Sequence, residues 1–159
     1  MDTTGQAALD LRRSSRRRLL QLGITLFLLG LLTGLAVPAL ANPRMALASH
    51  IEAVMNGTFL VLLGLVWPTL RLSPRLLNVA FWLAVYGAFT NWLATLLAAV
   101  WRAGNPMMPL AAQGSVGSPT QELVLKALLV SLALAMIAAC VLVLFGLRGP
   151  AVQQDDGQA

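Results

Sequence analysis

Charged residues are scarce in this chain. Only 11% of its 159 residues are charged, whereas 58% are hydrophobic. A soluble globular domain carries about a quarter charged residues. The composition therefore excludes an ordinary water-soluble domain and favours an integral membrane protein.

Cysteine and histidine occur once each, as Cys140 and His50. A lone cysteine excludes a disulfide within the chain and the paired-cysteine spacing of zinc sites. We expect Cys140, deep in the last apolar run, to be a small buried residue. The sequence also lacks a nucleotide-binding loop, a hydrolase triad and a zinc cluster, so it gives no support to those enzyme classes.

Four apolar runs are long enough to cross a bilayer, which takes about 20 residues. Because a backbone in lipid must satisfy its own hydrogen bonds, each run is predicted to be a helix. The predicted fold class is all-α, a bundle of four transmembrane helices within a membrane domain over residues 19–148. The predicted helices cover residues 19–41, 46–70, 76–102 and 119–147.

The two ends of the chain are polar. We expect residues 1–18 to be a disordered basic tail and residues 149–159 to be a second disordered tail. The first apolar run is too long for the core of a typical signal peptide, so we expect it to be retained as a helix.

Basic residues are distributed unevenly between the two sides of the predicted bundle. By the positive-inside rule the richer side faces the cytoplasm, which places both termini there. The arginine cluster lies beside the first helix, where membrane insertion explains it better than nucleic-acid binding does. Membrane lipid is the expected partner of these arginines. The richer side carries Arg12, Arg13, Arg16, Arg17, Arg18, Arg71, Arg75 and Arg148, and the other side carries Arg44, Arg102 and Lys126.

The connection over residues 103–119 is the longest and is rich in glycine, proline and serine. We expect it to fold back over the non-cytoplasmic face, with Ser118 or Thr120 as the N-cap of the last helix. The "GLLTG" stretch places Gly30 and Gly34 four apart, which predicts a helix-packing face.

Polar side chains inside the predicted helices are few, and such groups are costly in lipid and usually functional. Glu52 and Asn56 share a face of the second helix, as Asn91 and Thr95 share one of the third. His50 points elsewhere, about 160° from Glu52 and about 120° from Asn56. In an oligomer, His50 of one subunit could meet Asn56 of the next.

These polar residues occupy one level in the outer half of the bundle, and Arg44 and Arg102 flank that level at the interface. One imidazole, several hydrogen-bonding groups and two arginines suit an anionic cofactor. Each also has a structural explanation, since His50 can bond in the headgroup region, Glu52 can snorkel and asparagines can join helices. Spacing alone predicts a four-helix membrane protein with a candidate site around His50.

Four stretches of the sequence resemble a known family, hydroxylaminobenzene mutase, over roughly residues 19–148. The likeness includes the polar positions and the long loop. It implies a bacterial inner-membrane isomerase, an intramolecular transferase that converts hydroxylaminobenzene, a small aromatic hydroxylamine, to 2-aminophenol in nitroaromatic degradation. The stretches are "NPRMALASHIEAVMNGTFLVLLGLVWPTL", "AFWLAVYGAFTNWLATLLAAVW", "GNPMMPLA" and "LLVSLALAMIAACVLVLFGLR".

A more distant resemblance is to styrene oxide isomerase, which has a histidine followed six residues later by Asn-Gly. Here these are His50, Asn56 and Gly57. The resemblance implies that His50 ligates the iron of ferric haem b, that Asn56 lies in the active site, and that the protein is a homotrimer with haem between subunits. Asn91 falls on a matching asparagine in the third helix.

The chain departs from styrene oxide isomerase at two positions. Thr95 stands where that family has a tyrosine, and Gly87 stands where it has an aspartate. Both differences suggest another substrate.

The chemistry of hydroxyl transfer fits the implied cofactor. A Lewis acid could weaken the N–O bond and stabilise the developing oxygen charge. Asn56 and Asn91 are then expected to hydrogen bond the substrate, with Thr95 nearby, while Glu52 either shuttles a proton or orients another group. Arg44 and Arg102 are the expected partners of the anionic cofactor.

Three other functions are also compatible with the sequence. The same iron could open an epoxide, as in styrene oxide isomerase, or the chain could be a non-enzymatic haem-carrying or structural subunit. A small transporter would need a polar path to both faces, and the clustering of polar residues on one side argues against it.

Overall fold

The computed structural model describes the backbone of residues 3–148 and the side chains of residues 12–148. Within these residues the chain forms four long helices and one short helix, with 3-10 turns at Val37–Ala39 and Trp67–Thr69. The helices are α1 (Thr3–Ala36), α2 (Pro43–Val66), α3 (Pro74–Trp101), α4 (Pro109–Ala112) and α5 (Pro119–Leu147).

The predicted fold class is confirmed, because the described chain is all-helical and four of its helices are long and apolar enough to cross a membrane. Large apolar side chains face outward, as shown by Leu35, which is 82% exposed. Lipid is the environment in which such a surface is stable. The protein is therefore a multi-pass membrane protein. The candidate spans are Arg12–Ala39, Pro43–Thr69, Pro74–Trp101 and Pro119–Leu147.

Residues 3–18, which the sequence analysis expected to be a disordered tail, form the first part of α1. Arginine has a high helix propensity, so a basic segment can extend a membrane helix beyond the apolar run. Arg12 also donates hydrogen bonds to the carbonyl oxygens of Leu70 at 2.7 Å and Leu72 at 3.0 Å, which attaches α1 to the α2–α3 turn. The rest of the predicted tails, residues 1–2 and 149–159, lies outside the described residues.

Capping residues move the helix starts ahead of the apolar runs. Asn42 caps α2 by accepting from the Met45 backbone N–H at 3.1 Å, and Ser73 caps α3. Each is followed by proline, which suits the first turn of a helix. Of the two predicted caps for α5, Ser118 is the one used, in a capping box with Gln121.

The α1–α2 interface is the closest helix contact. A Cβ placed on Gly57 would lie 2.7 Å from the Phe27 backbone nitrogen and 2.8 Å from the Gly23 carbonyl oxygen. One on Gly30 would lie 2.9 Å from the Ala53 Cβ. The predicted packing role of the "GLLTG" glycines is confirmed, and the same face of α1 also carries Gly23.

The long loop folds back over the outer ends of α2 and α3, as predicted. Asn42 Nδ2 donates to the Ala112 carbonyl at 3.3 Å, and Ala112 is buried with Met45 and Ala98. Glu122 of α5 closes the loop, since its Oε1 accepts from the backbone N–H groups of Gly104 and Gly117.

The remaining helix, α5, packs chiefly against α3, with Ala139 in the same core as Ala84 and Ala88. Its outer face is turned away from the other helices. Cys140 lies on that face and is exposed, so the prediction that it is buried is wrong. The hydropathy of a run cannot distinguish a core-facing position from a lipid-facing one, because both are apolar.

Candidate active site

The imidazole of His50 lies against α1. Its Nδ1 is 2.8 Å from the carbonyl oxygen of Gly30. A carbonyl oxygen can only accept, so Nδ1 of the neutral ring carries the hydrogen and Nε2 keeps the lone pair. No hydrogen bond joins Nε2 to another described residue. The ring is therefore held in one tautomer with one nitrogen available.

Glycine at position 34 makes room for this ring. A Cβ on Gly34 would lie 2.8 Å from His50 Nδ1 and 3.1 Å from Cε1. The packing face of α1 thus has a second role, since the absence of a side chain at Gly34 forms the cradle in which the imidazole sits.

A carboxyl–amide cluster lies on the other side of α2, between α2 and α3. Asn91 Nδ2 donates to Glu52 Oε2 at 2.6 Å. Asn56 Nδ2 donates to the Glu52 backbone carbonyl at 2.8 Å and to Oε2 at 3.3 Å. Asn56 is 9% exposed, while Glu52 and Asn91 are half-buried. We call these three residues the Glu52 cluster.

Hydroxyl and indole groups around the cluster bond within the protein. Ser49 Oγ donates to the Trp92 carbonyl at 3.1 Å, which adds a second α2–α3 link. Trp92 Nε1 donates to Thr33 Oγ1 at 3.1 Å and so ties α3 to α1. Thr95 is buried, and its hydroxyl is within bonding distance of the Asn91 and Trp92 carbonyls of its own helix. The hydroxyl proton of Thr95 is therefore used in a hydrogen bond to the backbone of α3.

The predicted site residues do not form one pocket within the chain. His50 faces α1 and the Glu52 cluster faces α3, in agreement with the angles that the helical repeat predicts. Arg44 and Arg102 are exposed and line separate grooves at the outer end. Arg44 lies beside Leu47, Ala48, Ile51, Leu110 and Ala111, and Arg102 lies beside Asn42, Ala112, Gln113 and Ser115.

The sequence model described as styrene oxide isomerase matches residues 15–148 of the chain. The chain belongs to the styrene oxide isomerase family. It is similar to hydroxylaminobenzene mutase HabB of Ectopseudomonas oleovorans, with 55% identity over 90% of this chain and 88% of that protein. It is also similar to hydroxylaminobenzene mutase HabA of the same organism, with 46% identity over 79% of this chain and 93% of that protein.

These matches span nearly the whole described chain, so the styrene oxide isomerase family accounts for all four long helices. The protein is an isomerase of the mutase kind. No solved structure shows a significant match to it.

Sequence reasoning missed several residues that hold the site of this styrene oxide isomerase family member in place. Thr33 and Ser49 were not singled out, and Trp92 was noted only as an aromatic residue. Ser49 lies three residues before Glu52, which is the helical spacing that puts both on the α3 side. Thr33 lies between Gly30 and Gly34 in the "GLLTG" stretch, so a polar residue inside a small-residue face was the available signal.

Proposed function

We propose that this isomerase converts hydroxylaminobenzene to 2-aminophenol. The observation that carries the proposal is the 55% identity to a hydroxylaminobenzene mutase over nine-tenths of the chain. The reaction breaks the N–O bond, forms a C–O bond at the ortho carbon and moves the ring proton, through solvent or side chains, to the nitrogen. Substrate and product are isomers, so no oxidant or reductant is consumed.

The residues around His50 fit the haem b that the family resemblance implies. A metal-ligating histidine usually donates its second ring N–H to a carbonyl or carboxylate, which orients the ring. The Nδ1 contact with the Gly30 carbonyl supports that arrangement and leaves Nε2 as the ligand. Among the described residues no group of three His, Cys, Asp or Glu side chains could enclose an ion. A single imidazole therefore suits a metal whose other ligands come from a porphyrin.

His50 would hold ferric haem b, which would supply Lewis acidity toward the substrate oxygen. Asn56 and Asn91 hydrogen bond the nitrogen and oxygen of the substrate. The exposed Arg44 and Arg102 are the cations proposed to pair with the acidic groups of the porphyrin. Apolar side chains of α2 and the surrounding lipid exclude water, which protects a cationic aryl group from hydrolysis.

A homotrimer with the cofactor between subunits would bring the two halves of the site together. His50 and the Glu52 cluster lie on different faces of α2. A second copy could place the Glu52 cluster opposite the His50 of its neighbour. The separation of the two halves within one chain supports this assembly.

The proposed location is a bacterial inner membrane with both termini in the cytoplasm. Arg12 and the α2–α3 turn lie at the same end of the bundle, and the turn meets the end of α5 through the bond from Arg71 N–H to the Gly146 carbonyl. The cations near these segments therefore share one end, which the positive-inside rule assigns to the cytoplasm.

Turnover by the purified protein tests the reaction. Incubation with hydroxylaminobenzene, without added reductant, is expected to give 2-aminophenol in equal molar amount, measured by chromatography. Protein-free detergent micelles loaded with haem b serve as the control for the uncatalysed rearrangement. Absence of product would contradict the proposal. If the same preparation turned over styrene oxide instead, epoxide isomerisation would be the better assignment.

Substitution of Gly34 tests the fit of the cofactor separately. In Gly34→Ala the new Cβ would take the place of the imidazole edge, 2.8 Å from Nδ1, so His50 must leave the Gly30 carbonyl. Because ligand-orienting contacts are worth about 10- to 100-fold in metal affinity, we expect the haem content and the Soret band of the purified variant to fall. Leu35→Ala, a neighbouring lipid-facing change, is the control. An unaltered spectrum in Gly34→Ala would count against ligation through this rotamer.

A further inference from the structure

The carboxyl group of Glu52 accepts hydrogen bonds from two amides at once. Its Oε2 is 2.6 Å from Asn91 Nδ2 and 3.3 Å from Asn56 Nδ2. A side-chain amide has a donor end and an acceptor end. With both nitrogens turned toward Glu52, the two carbonyl oxygens must point away from it.

Three acceptor oxygens of the cluster are left without a partner. Asn56 Oδ1, Asn91 Oδ1 and Glu52 Oε1 receive no hydrogen bond from the described residues. None of them is among the atoms buried without a partner, which in the described chain are Trp67 Nε1 and Glu122 Oε2. Each of the three oxygens therefore keeps some exposed surface in the described chain.

Most hydrogen-bond donors in and around the Glu52 cluster already bond to other groups of the protein. Both N–H bonds of Asn56 go to Glu52. The hydroxyls of Ser49 and Thr95 donate to backbone carbonyls of α3, and the Trp92 indole donates to Thr33. Asn91 has two N–H bonds and gives one to Glu52, so within the Glu52 cluster three free acceptors stand against one free donor.

We propose that Glu52 is the specificity-determining residue of this site and acts by positioning. By fixing both amides with their oxygens outward, it makes a surface that selects ligands carrying N–H and O–H donors. The inference rests on the proposed function. An aryl hydroxylamine and an aminophenol carry both kinds of donor, whereas an epoxide carries acceptors only. Glu52 therefore separates hydroxylamine rearrangement from the epoxide chemistry for which the family is described.

The energetic basis is the penalty for unpaired polar atoms. A site built to bond N–H or O–H groups discriminates against an analogue that lacks them, because its own polar atoms are then desolvated without a partner. Each such atom costs on the order of tenfold in affinity. Two or three outward acceptor oxygens are therefore sufficient to make the site prefer ligands that carry N–H or O–H donors.

Glu52→Gln tests the proposal because it preserves size and replaces one acceptor oxygen by an NH₂ group. Glutamine can keep its oxygen at the Oε2 position and accept from both asparagines, and its NH₂ group then replaces the free acceptor Oε1 with a donor. Two stable probes report the change. One is 2-aminophenol, which carries donors, and the other is acetophenone, which has only an acceptor. Their dissociation constants are measured by calorimetry on the haem-loaded protein, together with kcat and KM for hydroxylaminobenzene.

The wild-type protein is expected to bind 2-aminophenol more tightly than acetophenone. In Glu52→Gln the ratio of the two affinities should move toward acetophenone by on the order of tenfold, with KM for hydroxylaminobenzene raised and the Soret band unchanged. Glu122→Gln makes the same chemical change at the other acid of the described side chains, in the outer loop. It should leave both dissociation constants unaltered.

Several outcomes would overturn the proposal. Equal weakening of both probes would indicate a structural role only. A fall in kcat with both dissociation constants unchanged would make Glu52 a proton carrier. The absence of any preference in the wild-type protein would refute donor selection even if the variant failed to fold. Failure of the proposed function is separate, since it would appear as absence of 2-aminophenol formation by the wild-type enzyme.

Discussion

His50→Ala is expected to abolish haem binding and with it the rearrangement of hydroxylaminobenzene. The chain contains one histidine, so no second imidazole can replace it. Loss of a residue that orients a metal ligand costs about 10- to 100-fold, and loss of the ligand itself should exceed that range. The measurements are the Soret absorbance per protein and the rate of 2-aminophenol formation.

The fold should survive this substitution. The ring contacts α1 through one hydrogen bond to Gly30 and through the cradle at Gly34, whereas the helix interface extends over many other residues. Ser49→Ala is a matched control on the same turn of α2, because the Ser49 side chain faces α3 and not α1. We expect this control to retain haem.

Added imidazole provides a second measurement on the same variant. The space vacated by the ring borders the Gly30 carbonyl, which can accept from the N–H of free imidazole. Millimolar imidazole is therefore expected to restore part of the Soret band in His50→Ala. A variant that kept a wild-type Soret band without imidazole would show that the iron is held by another residue.

The helices were predictable because membrane spans depend on run length and backbone hydrogen bonding. The prediction for α5, residues 119–147, matches Pro119–Leu147. The predicted helix starts were less accurate where a capping residue and a proline precede the apolar run, as at Asn42 and Pro43. The basic start of α1 was missed, because hydropathy detects lipid contact and does not report helix propensity.

The helix face on which each site residue lies was also predictable, but its hydrogen-bond partners on the other helices were not. Helical spacing correctly placed Glu52 with Asn56 and turned His50 away from both. The bond between Glu52 and Asn91 depends on the rotation and register of α2 against α3, which no local pattern contains. The same reason explains why the Gly30 carbonyl was not foreseen as the partner of the imidazole.

The Asn-Gly pair at residues 56 and 57 shows how a motif can combine two roles. Asn56 faces the Glu52 cluster, and Gly57 faces α1, where its hydrogen allows the backbones to meet. A residue with a side chain at position 57 would separate the helices that hold His50 in its cradle. The glycine therefore supports the site from the opposite face of α2.

Gly57→Ala is expected to cause a large loss of stability at the α1–α2 interface. The new Cβ would lie 2.7 Å from the Phe27 nitrogen, 3.0 Å from the Phe27 Cα and 2.8 Å from the Gly23 carbonyl oxygen. All three atoms are backbone, so they cannot rotate away as a side chain can. Overpacking of this kind costs about 3 kcal/mol. We expect a lower unfolding temperature in detergent and, because α1 moves, a loss of haem.

Gly64→Ala is the matched control, since it makes the same change on the same helix against α1. Its Cβ would meet side-chain atoms of Leu20 at 3.1 Å and the Leu19 Cβ at 3.2 Å, and the Leu20 side chain can adjust. Both variants gain the same helix propensity, about 1 kcal/mol, so their difference isolates the contact with backbone. If the two variants unfolded at the same temperature, close packing at Gly57 would not be what holds α1 against α2.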